Sequence, residues 1–344
     1  ASVQTYGTDN YKKTLRVNVT DGTLRLGIKG NKSNDNNLFI FDNFRLVYHG
    51  EVEQTDYYIR NVATKEFVRA GLDYEAKLIR DKWGLLMRLF KWEENMYSID
   101  TQISNGSNYN FINTDGYAYG AETIFTLNQL NNGYYTISSG TSYMATNEAN
   151  NSVDFVNSID AANTYAQWEL LTREQLITEL KNSGASDANP KDATFFIQSP
   201  NLGRHDQRTN ADNWKGIDFS SAEYGGYAIN YEDFKDGDYK ANLVIEKFNK
   251  NFDTYQTITG LPSGVYELEV QAFYNQSGED IIRPFVYAKL QDGTVIGQAP
   301  IMSKNNDDID NLEKAALAIR NGDYKANEES HFNKIRFVVT EDNA

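Results

Sequence analysis

The most constraining feature of the sequence is a tyrosine-x-isoleucine pattern that occurs three times at nearly equal spacing. It occupies residues 57–59, 97–99 and 135–137, at offsets of 40 and 38 residues. Turn residues and another short strand pattern follow each copy, which predicts three all-β units. Because the repeat stops at three, the units predict a pseudo-threefold arrangement rather than an open solenoid.

The repeated region ends at residues 166–171 (AQWELL), so residues 53–172 are predicted to form a β-trefoil. Directly afterwards, Thr172 and Gln175 form a capping-box pattern that predicts a helix over 173–181. The turn-rich segment 182–190 (NSGASDANP) predicts a linker. Residues 173–189 are therefore interpreted as a helix and linker between domains.

Both ends of the chain carry the strand patterns of incomplete domains. Residues 15–19 and 24–28 alternate apolar and polar side chains around an Asp-Gly turn, which predicts a hairpin, and residues 38–50 predict a further long strand. Residues 335–342 (IRFVVTED) match residues 15–22 (LRVNVTDG).

From this match we interpret residues 190–344 as the N-terminal part of a β-sandwich domain. Residues 1–52 are interpreted as the C-terminal part of the same kind of domain. Two interpretations follow. The chain is an excerpt from a tandem array, which we favour, or residues 20–48 complete the C-terminal module by permutation or between molecules.

Within residues 190–344, strands are predicted at 194–197, 255–258 and 265–270, and a helix at 310–320. The predicted fold class is therefore all-β with short helices. β-sandwich modules of the jelly-roll type flank the β-trefoil.

Three segments carry a resemblance to a known family. Residues 252–266 (FDTYQTITGLPSGVY), 15–30 (LRVNVTDGTLRLGIKG) and 40–46 (IFDNFRL) resemble the galactose-binding-like jelly rolls of secreted and surface proteins of gut Bacteroidetes. The middle of the chain, ending in Gln167-Trp168, resembles a ricin-type β-trefoil. Ricin-type repeats carry Gln-x-Trp, whereas here the two residues are adjacent and occur once, a departure that bears on sugar binding more than on the fold.

These resemblances imply a non-catalytic, glycan-binding, multi-modular protein that is secreted or held at a bacterial cell surface. Its partners would be plant polysaccharides or host glycans, and other domains of a larger protein. One alternative is a structural spacer or protein-interaction module. Another is an accessory region of a glycoside hydrolase whose catalytic domain lies outside this chain.

Composition and motifs narrow the classes of function. With 33 Lys and Arg against 48 Asp and Glu, the formal charge is -15, which disfavours nucleic acid and anionic membrane surfaces as partners. A mean hydropathy of -0.62 and the lack of an apolar run near 18 residues argue against membrane insertion. No cysteine is present, the three histidines have no metal-ligand spacing, and no hydrolase or nucleotide-binding motif occurs. We therefore expect no enzymatic activity.

Sugar recognition requires a flat ring for the apolar face of a pyranose and planar polar groups for its hydroxyls, placed in loops. In the C-terminal module the candidates lie in one Gly/Ser/Asn-rich region: Arg204, Asp206, Asn213, Trp214, Tyr224 and Tyr227. In the β-trefoil they are Trp83, Asn108, Tyr109, Tyr117 and Tyr119. The alternatives are that Trp214 plugs the end of the sandwich and that the trefoil residues pack in the core or at the barrel rim. Trp168 is assigned to the core.

Asp42 is the one metal-ligand candidate. Sugar-binding jelly rolls place an acidic residue of the final strand on a structural calcium ion, so the resemblance implies that role for Asp42. The alternative, which we favour, is that Asp42 and Asn43 bond neighbouring backbone at a bulge. Asp233, Asp236 and Asp238 are interpreted as a solvated turn, because no bidentate Glu follows at calcium-loop spacing.

Overall fold

A computed structural model describes a large part of the chain. The described residues are 24–28, 44–48, 53–70, 77–102, 110–118, 122–160, 162–198, 200, 214–216, 247, 251–272, 284–301 and 332–340. The chain divides into two compact units, residues 1–53 and 54–344.

In the first unit the described residues are 24–28, 44–48 and 53, and none of them lies in a strand. All ten residues of the two segments are exposed; Leu26 is 55% and Leu46 is 72% accessible. The strand predictions for these residues are therefore wrong. Alternation supplies an apolar face, but a strand is stabilised by burial of that face, and the apolar side chains of these residues are exposed. Residues 15–19 of the predicted hairpin lie outside the described residues.

Strands are the main regular structure in the described part of the second unit. Its strands are β1 (Gln54–Asn61), β2 (Phe67–Ala70), β3 (Leu78–Asp81), β4 (Met87–Glu93), β5 (Met96–Asp100), β6 (Phe125–Gln129), β7 (Tyr135–Ser139), β8 (Ser142–Ala145), β9 (Asp154–Val156), β10 (Trp168–Leu171), β11 (Trp214–Lys215), β12 (Tyr255–Gln256), β13 (Gly264–Gln271), β14 (Phe285–Lys289), β15 (Val295–Pro300) and β16 (Phe332–Val339). One α-helix, α1 (Arg173–Asn182), and two 3₁₀ turns, Thr164–Ala166 and Thr194–Phe196, are described. The all-β class with short helices is confirmed.

Six strands pair in a closed ring. β1 pairs with β4, β4 with β5, β5 with β6, β6 with β7, β7 with β10, and β10 with β1, all antiparallel. Two hairpins, β2–β3 and β8–β9, extend from this ring. Ring closure removes the free edges that an open sheet would expose.

The strand register repeats with the period of the tyrosine-x-isoleucine pattern. The tyrosine of each copy faces a fully buried residue across its pair: Tyr57↔Met87, Tyr97↔Phe125, Tyr135↔Trp168. The isoleucine of each copy faces a leucine: Ile59↔Leu170, Ile99↔Leu89, Ile137↔Leu127. The three sequence units therefore occupy equivalent positions around the ring.

One hydrophobic core fills this barrel. Ile59, Ile99 and Ile137 are at most 1% exposed and belong to the same cluster, and the three repeat tyrosines pack against it half-buried. Trp168 is completely buried in the cluster and donates its indole N–H to the Met144 carbonyl at 3.0 Å. The assignment of Trp168 to the core is confirmed.

Helix α1 begins at the predicted capping box. The Thr172 hydroxyl accepts the Gln175 backbone N–H at 3.2 Å, and the Gln175 side chain accepts the Thr172 N–H at 2.8 Å. These reciprocal bonds satisfy two backbone donors that a helix start otherwise leaves open.

A second hydrophobic cluster fastens α1 to the barrel. Tyr58 and Phe67 of the barrel, Leu176 of α1, and Phe195 and Phe196 of the following turn form its buried part. Ile258 and Leu261, close to the C-terminal strands, pack against it. The helix of the segment predicted as a helix and linker therefore packs against the barrel. The predicted strand 194–197 is wrong, because residues 194–196 form a 3₁₀ turn that buries both phenylalanines in this cluster.

Ion pairs surround the same contact. Arg60 Nε lies 2.7 Å from a Glu169 carboxylate oxygen, and its terminal nitrogens lie 2.7 and 2.8 Å from the two Glu179 oxygens of α1. Burial lowers the pKa of Arg60, but the bonds to Glu179 and Glu169 outweigh it and raise that pKa further. The Arg60 guanidinium also lowers the pKa of Glu179. Both groups are therefore charged at neutral pH.

Among the C-terminal strands, β13 pairs with β16 and β14 with β15. One face of the β13–β16 ribbon carries charges, with Lys334 bonded to Glu269, while the other face carries the stacked rings of Tyr266 and Phe337, 5.9 Å apart. The strands predicted near 255–258 and 265–270 correspond to β12 and β13. No helix in the described residues is both long and apolar enough to cross a membrane.

Candidate functional site

An open cleft of about 480 Å³ lies on the barrel where the β6–β7 turn meets the segment before β10. The turn is fixed by its own hydrogen bonds: the Leu130 N–H donates to the Tyr134 carbonyl at 2.8 Å, and the Gly133 N–H donates to the Leu130 carbonyl at 2.9 Å. Gly133 has a φ of +86°, the left-handed conformation that favours glycine. This closure holds Asn132 and Tyr134 at one wall of the cleft.

The opposite wall is a short 3₁₀ turn, Thr164–Ala166. The Asn163 side chain caps it by accepting the Tyr165 backbone N–H at 3.1 Å. Ala162 and Thr164 are exposed here, whereas Gln167 is 4% exposed. The next residue is the core residue Trp168, so this wall is anchored directly to the barrel interior.

One hydrogen bond joins the two walls. Asn132 Nδ2 donates to Gln167 Oε1 at 3.1 Å, which orients both amides. The half-buried Tyr134 ring has the Lys65 ammonium 5.8 Å from its centre, and that ammonium pairs with Glu169 at 3.2 Å. The cleft is thus held by contacts to β1–β2 and β10 as well as by its own turn.

The chemistry of the lining is uncharged and hydrogen-bonding. The lining residues are Leu130, Asn131, Asn132, Tyr134, Ala162, Thr164 and Gln167. Their amides supply both donors and acceptors, the hydroxyls do the same, and the tyrosine adds an aromatic surface. Such a surface suits a neutral ligand rich in hydroxyl groups and offers little to an anion or a cation.

A network around Arg80 builds the neighbouring loop. Arg80 bonds the Thr146 hydroxyl at 3.0 Å, the carbonyls of Asn147 and Asn150 at 2.9 and 2.8 Å, and the Glu66 carboxylate. All of the guanidinium nitrogens are therefore used, so Arg80 has a structural role in shaping the loop.

That loop also contacts the segment before β10. Glu148 accepts a hydrogen bond from the Tyr165 hydroxyl, and this bond, together with burial, raises the pKa of Tyr165. Tyr165 therefore stays protonated at neutral pH, and the loop and the cleft wall are joined.

The structure corrects the prediction for Trp83. This residue belongs to the barrel core and is 1% exposed, so its ring offers no face to a sugar. The Arg69 guanidinium lies 4.7 Å from the ring centre, and the indole N–H has no hydrogen-bond partner among the described residues. Trp83 is therefore a core residue, the alternative stated above for the trefoil candidates. The Arg69 guanidinium above its indole is itself buried and is paired with Asp81 at 2.9 Å.

Two other predicted site residues are described, and they lie in different places. Tyr117 is half-buried at the barrel, with the Lys77 ammonium 5.2 Å from its ring centre, and Lys77 is paired with Asp154. Trp214 is half-buried in β11 and donates its indole N–H to the Gln198 carbonyl at 2.8 Å. Neither residue lines the cleft.

The remaining predicted residues lie outside the described residues. They are Asp42, Asn108, Tyr109, Tyr119, Arg204, Asp206, Asn213, Tyr224 and Tyr227. Asp233, Asp236 and Asp238 lie outside them as well. Within the described ranges, no group of three or more His, Asp or Glu residues is arranged to hold a metal ion. The calcium interpretation of Asp42 stays a prediction.

Sequence reasoning missed Asn132 and Tyr134 and used Gln167 only as part of the Gln-Trp resemblance. The available signal was the turn Asn131-Asn132-Gly133, which ends two residues before the repeat tyrosine Tyr135 and places amides at a strand end. The pairing of Asn132 with Gln167, 35 residues away, depends on ring closure and carries no local sequence signal.

Comparisons with known proteins give no family. No family model matches the chain, and no curated protein matches it. Among solved structures, a GlcNAcα1-4Gal-releasing endo-β-galactosidase from Clostridium perfringens is similar over 34% of this chain and 32% of that chain, at 14% identity and a TM-score of 0.28. A salivary protein from Culex quiquefasciatus of the Cysteine and Tryptophan-Rich family is similar over 36% of this chain and 96% of that chain, at 15% identity and a TM-score of 0.25.

The chain thus matches about a third of the galactosidase's length. TM-scores this low do not establish a shared fold.

Proposed function

We propose that this protein is a non-catalytic glycan-binding protein and that the cleft beside Tyr134 holds a neutral sugar. The observation that carries the proposal is the lining: an aromatic ring and three amide side chains in an open depression, without a charged residue among them. A pyranose presents an apolar face to an aromatic ring and hydroxyls to planar amides. We further propose that the protein is secreted or displayed at a bacterial cell surface.

We also propose that the barrel is a β-trefoil, as the sequence repeat predicts. Support comes from the closed ring of six strands and from the threefold repetition of the Tyr and Ile pairings. The alternation of charged and aromatic faces on β13–β16 supports a sandwich module at the C-terminal end.

A single shallow site of this kind binds weakly. We expect a dissociation constant on the order of 0.1–1 mM, about 4–5.5 kcal/mol. Several weak sites would bind a polymeric glycan more tightly through their high effective concentration.

The second candidate function is a structural spacer, and the cluster around α1 favours it. Phe195, Phe196 and Leu176 join the barrel to the segment that packs against Ile258 and Leu261. A packed connection of this kind fixes the orientation of neighbouring modules, whether or not the barrel binds sugar. The spacer predicts an ordered joint and no response to any glycan.

The test is a glycan array probed with the labelled chain, covering neutral plant polysaccharides and host mucin glycans, with and without calcium. We expect Tyr134→Ala to weaken a neutral hit by about 5-fold to 30-fold, since loss of an aromatic contact costs about 1–2 kcal/mol. Tyr143→Ala is the matched control, because Tyr143 is a half-buried tyrosine of β8 outside the cleft.

Trp214→Ala tests the site predicted in the C-terminal module. If the folded wild-type chain binds no glycan on the array, the glycan-binding proposal is overturned and the structural spacer is the remaining candidate function. A hit that Tyr134→Ala leaves unchanged would move the sugar site away from this cleft.

A further inference from the structure

The turn between β1 and β2 lies beside the cleft and contains a strained backbone position. Lys65 has a φ of +58°, in the left-handed region. Glycine adopts this region freely, whereas a residue with a Cβ is strained there. Such strain persists where the surrounding structure imposes it, and strained residues cluster at ligand-binding sites. The presence of lysine rather than glycine at this position therefore indicates a use for the side chain.

One buried side chain imposes the turn. Asn61 is completely buried, and its Oδ1 accepts the backbone N–H groups of Ala63 and Thr64 at 3.1 and 3.2 Å. The Asn61 carbonyl accepts the Lys65 N–H at 3.0 Å. Lys65 contributes only its backbone to these bonds, so they do not require the lysine side chain.

The same asparagine attaches the turn to a wall of the cleft. Asn61 Nδ2 donates to the carbonyls of Tyr165 and Gln167 at 3.1 and 3.2 Å. The Val62 N–H also donates to the Gln167 carbonyl, at 3.0 Å. Tyr165 belongs to the 3₁₀ turn that forms this wall, and Gln167 lines the cleft. Hydrogen bonds therefore hold the β1–β2 turn at a fixed place beside the cleft.

The Lys65 ammonium lies between a carboxylate and the aromatic ring of the cleft. It is 3.2 Å from a Glu169 oxygen and 5.8 Å from the centre of the Tyr134 ring. At this distance an ammonium is attracted to the face of an aromatic ring. Glu169 is 13% exposed at its side chain and also accepts a hydrogen bond from Arg60. The carboxylate is thus held in place independently of Lys65, and it keeps the exposed lysine at the ring.

We propose that Lys65 is a positioning residue of the glycan cleft, whose ammonium holds the Tyr134 ring in the orientation on which a neutral sugar stacks. The inference rests on the proposed glycan-binding function. A ring that is already held in place loses less conformational freedom when a ligand binds, and this pre-organisation strengthens binding. Lys65 acts through Tyr134 and not through a contact of its own with the sugar.

The experiment measures dissociation constants by ligand-observed NMR with the full chain. The probes are the methyl glycosides of galactose, glucose, mannose and N-acetylglucosamine, together with any neutral glycan that binds in the array. For each probe whose binding Tyr134→Ala weakens, we expect Lys65→Asn to weaken it by about twofold to fivefold, the effect of losing one exposed cation–π contact. Lys65→Arg keeps the cation and should bind as wild type does.

Stability separates a positioning role from a structural one. Asparagine adopts the left-handed region more readily than lysine does, and an ion pair whose lysine is exposed contributes little to stability. Lys65→Asn should therefore leave the urea midpoint unchanged or raise it, while it weakens binding. The matched control is Gln102→Asn, because Gln102 has a left-handed φ of +57° and is not among the lining residues of the cleft. This control should leave binding unchanged.

A double-mutant cycle tests whether Lys65 acts through Tyr134. In the Tyr134→Ala background the ring is absent, so Lys65→Asn should cause no further loss of binding. If Lys65→Asn weakens binding equally with and without the ring, the lysine contacts the sugar directly and the positioning role is refuted.

The two proposals can fail separately. Binding that depends on Tyr134 but not on Lys65 refutes the positioning role and keeps the proposed function. Weaker binding of Lys65→Asn together with a lower urea midpoint, or an equal loss of binding in Gln102→Asn, shows a structural role and refutes the positioning role as well. If no probe binds to the folded chain by either method, both proposals are refuted.

Discussion

Replacing Arg60 with methionine should destabilise the attachment of helix α1 far more than removing the partner carboxylate on the helix. Arg60 and Glu169 are 12% and 13% exposed at their side chains, whereas Glu179 is 50% exposed. Removing one member of a buried ion pair costs about 3–5 kcal/mol, because the remaining charge stays buried without its partner. Lys65 stays 3.2 Å from Glu169 and offsets part of this cost. We therefore expect about 3 kcal/mol for Arg60→Met.

Glu179→Gln should cost about 1 kcal/mol or less, since half-exposed pairs contribute little and Arg60 keeps its bond to Glu169. The matched control is Arg88→Met. Arg88 makes an equally short pair with Asp56, at 2.8 Å, but its side chain is 35% exposed and its partner's 31%. We expect about 1 kcal/mol there as well.

The assay is urea unfolding followed by tryptophan fluorescence in a Trp214→Phe background, so that all remaining indoles report on the barrel. Equal losses for Arg60→Met and Arg88→Met would refute the reasoning, because burial would then not determine the cost. A loss for Glu179→Gln as large as that for Arg60→Met would refute it too.

Three further predictions concern stability. The pKa of Glu179 is lowered in the folded state, so its ionised carboxylate adds to the free energy of unfolding above the unfolded pKa of about 4.3, and this contribution is lost as the pH falls through the folded pKa. In urea unfolding between about pH 6 and pH 3, the free energy of unfolding should therefore fall less for Glu179→Gln than for wild type. Gly116→Ala should cost about 1–2 kcal/mol, because φ is +81° and a new Cβ would lie 2.8 Å from Lys77 Nζ. Gly133→Ala, at φ +86° with no atom within 4 Å, should cost less, and equal costs in thermal unfolding would contradict the steric part of that argument. Ile59→Ala, Ile99→Ala and Ile137→Ala should each cost about 2–5 kcal/mol and agree within about 1 kcal/mol, and a single outlier in urea unfolding would contradict their equivalence.

The barrel could be predicted because its information is periodic. Each tyrosine-x-isoleucine copy places an isoleucine in the core, as strand alternation allows. The pairing of each isoleucine with a leucine of a neighbouring strand is set by the register of the closed ring and is not readable from the spacing. The start of α1 could be predicted because a capping box is local, with its two bonds only three residues apart.

The candidate site could be predicted only in its chemistry. Aromatic rings and amides were expected, but Trp83 was expected at a sugar site, and a buried guanidinium above an indole leaves no local sequence pattern that would correct this. Asn132 and Gln167 meet only because the ring closes between β7 and β10. Residues 194–196 have a strand-like sequence, yet they form a 3₁₀ turn that lets both phenylalanines enter one cluster. A strand would place these two neighbouring side chains on opposite faces.

In the threefold barrel, the buried positions of the three units must be alike, whereas the positions at the rim can differ. Ring closure requires equivalent residues inside, where Met87, Phe125 and Trp168 are all fully buried. The rim has no such requirement, so equivalent positions carry Trp92 in one unit and Leu130 in another. Register therefore fixes where rim side chains stand but not their chemistry, so the amide lining of the cleft follows from the residues of the third unit and not from the threefold repeat.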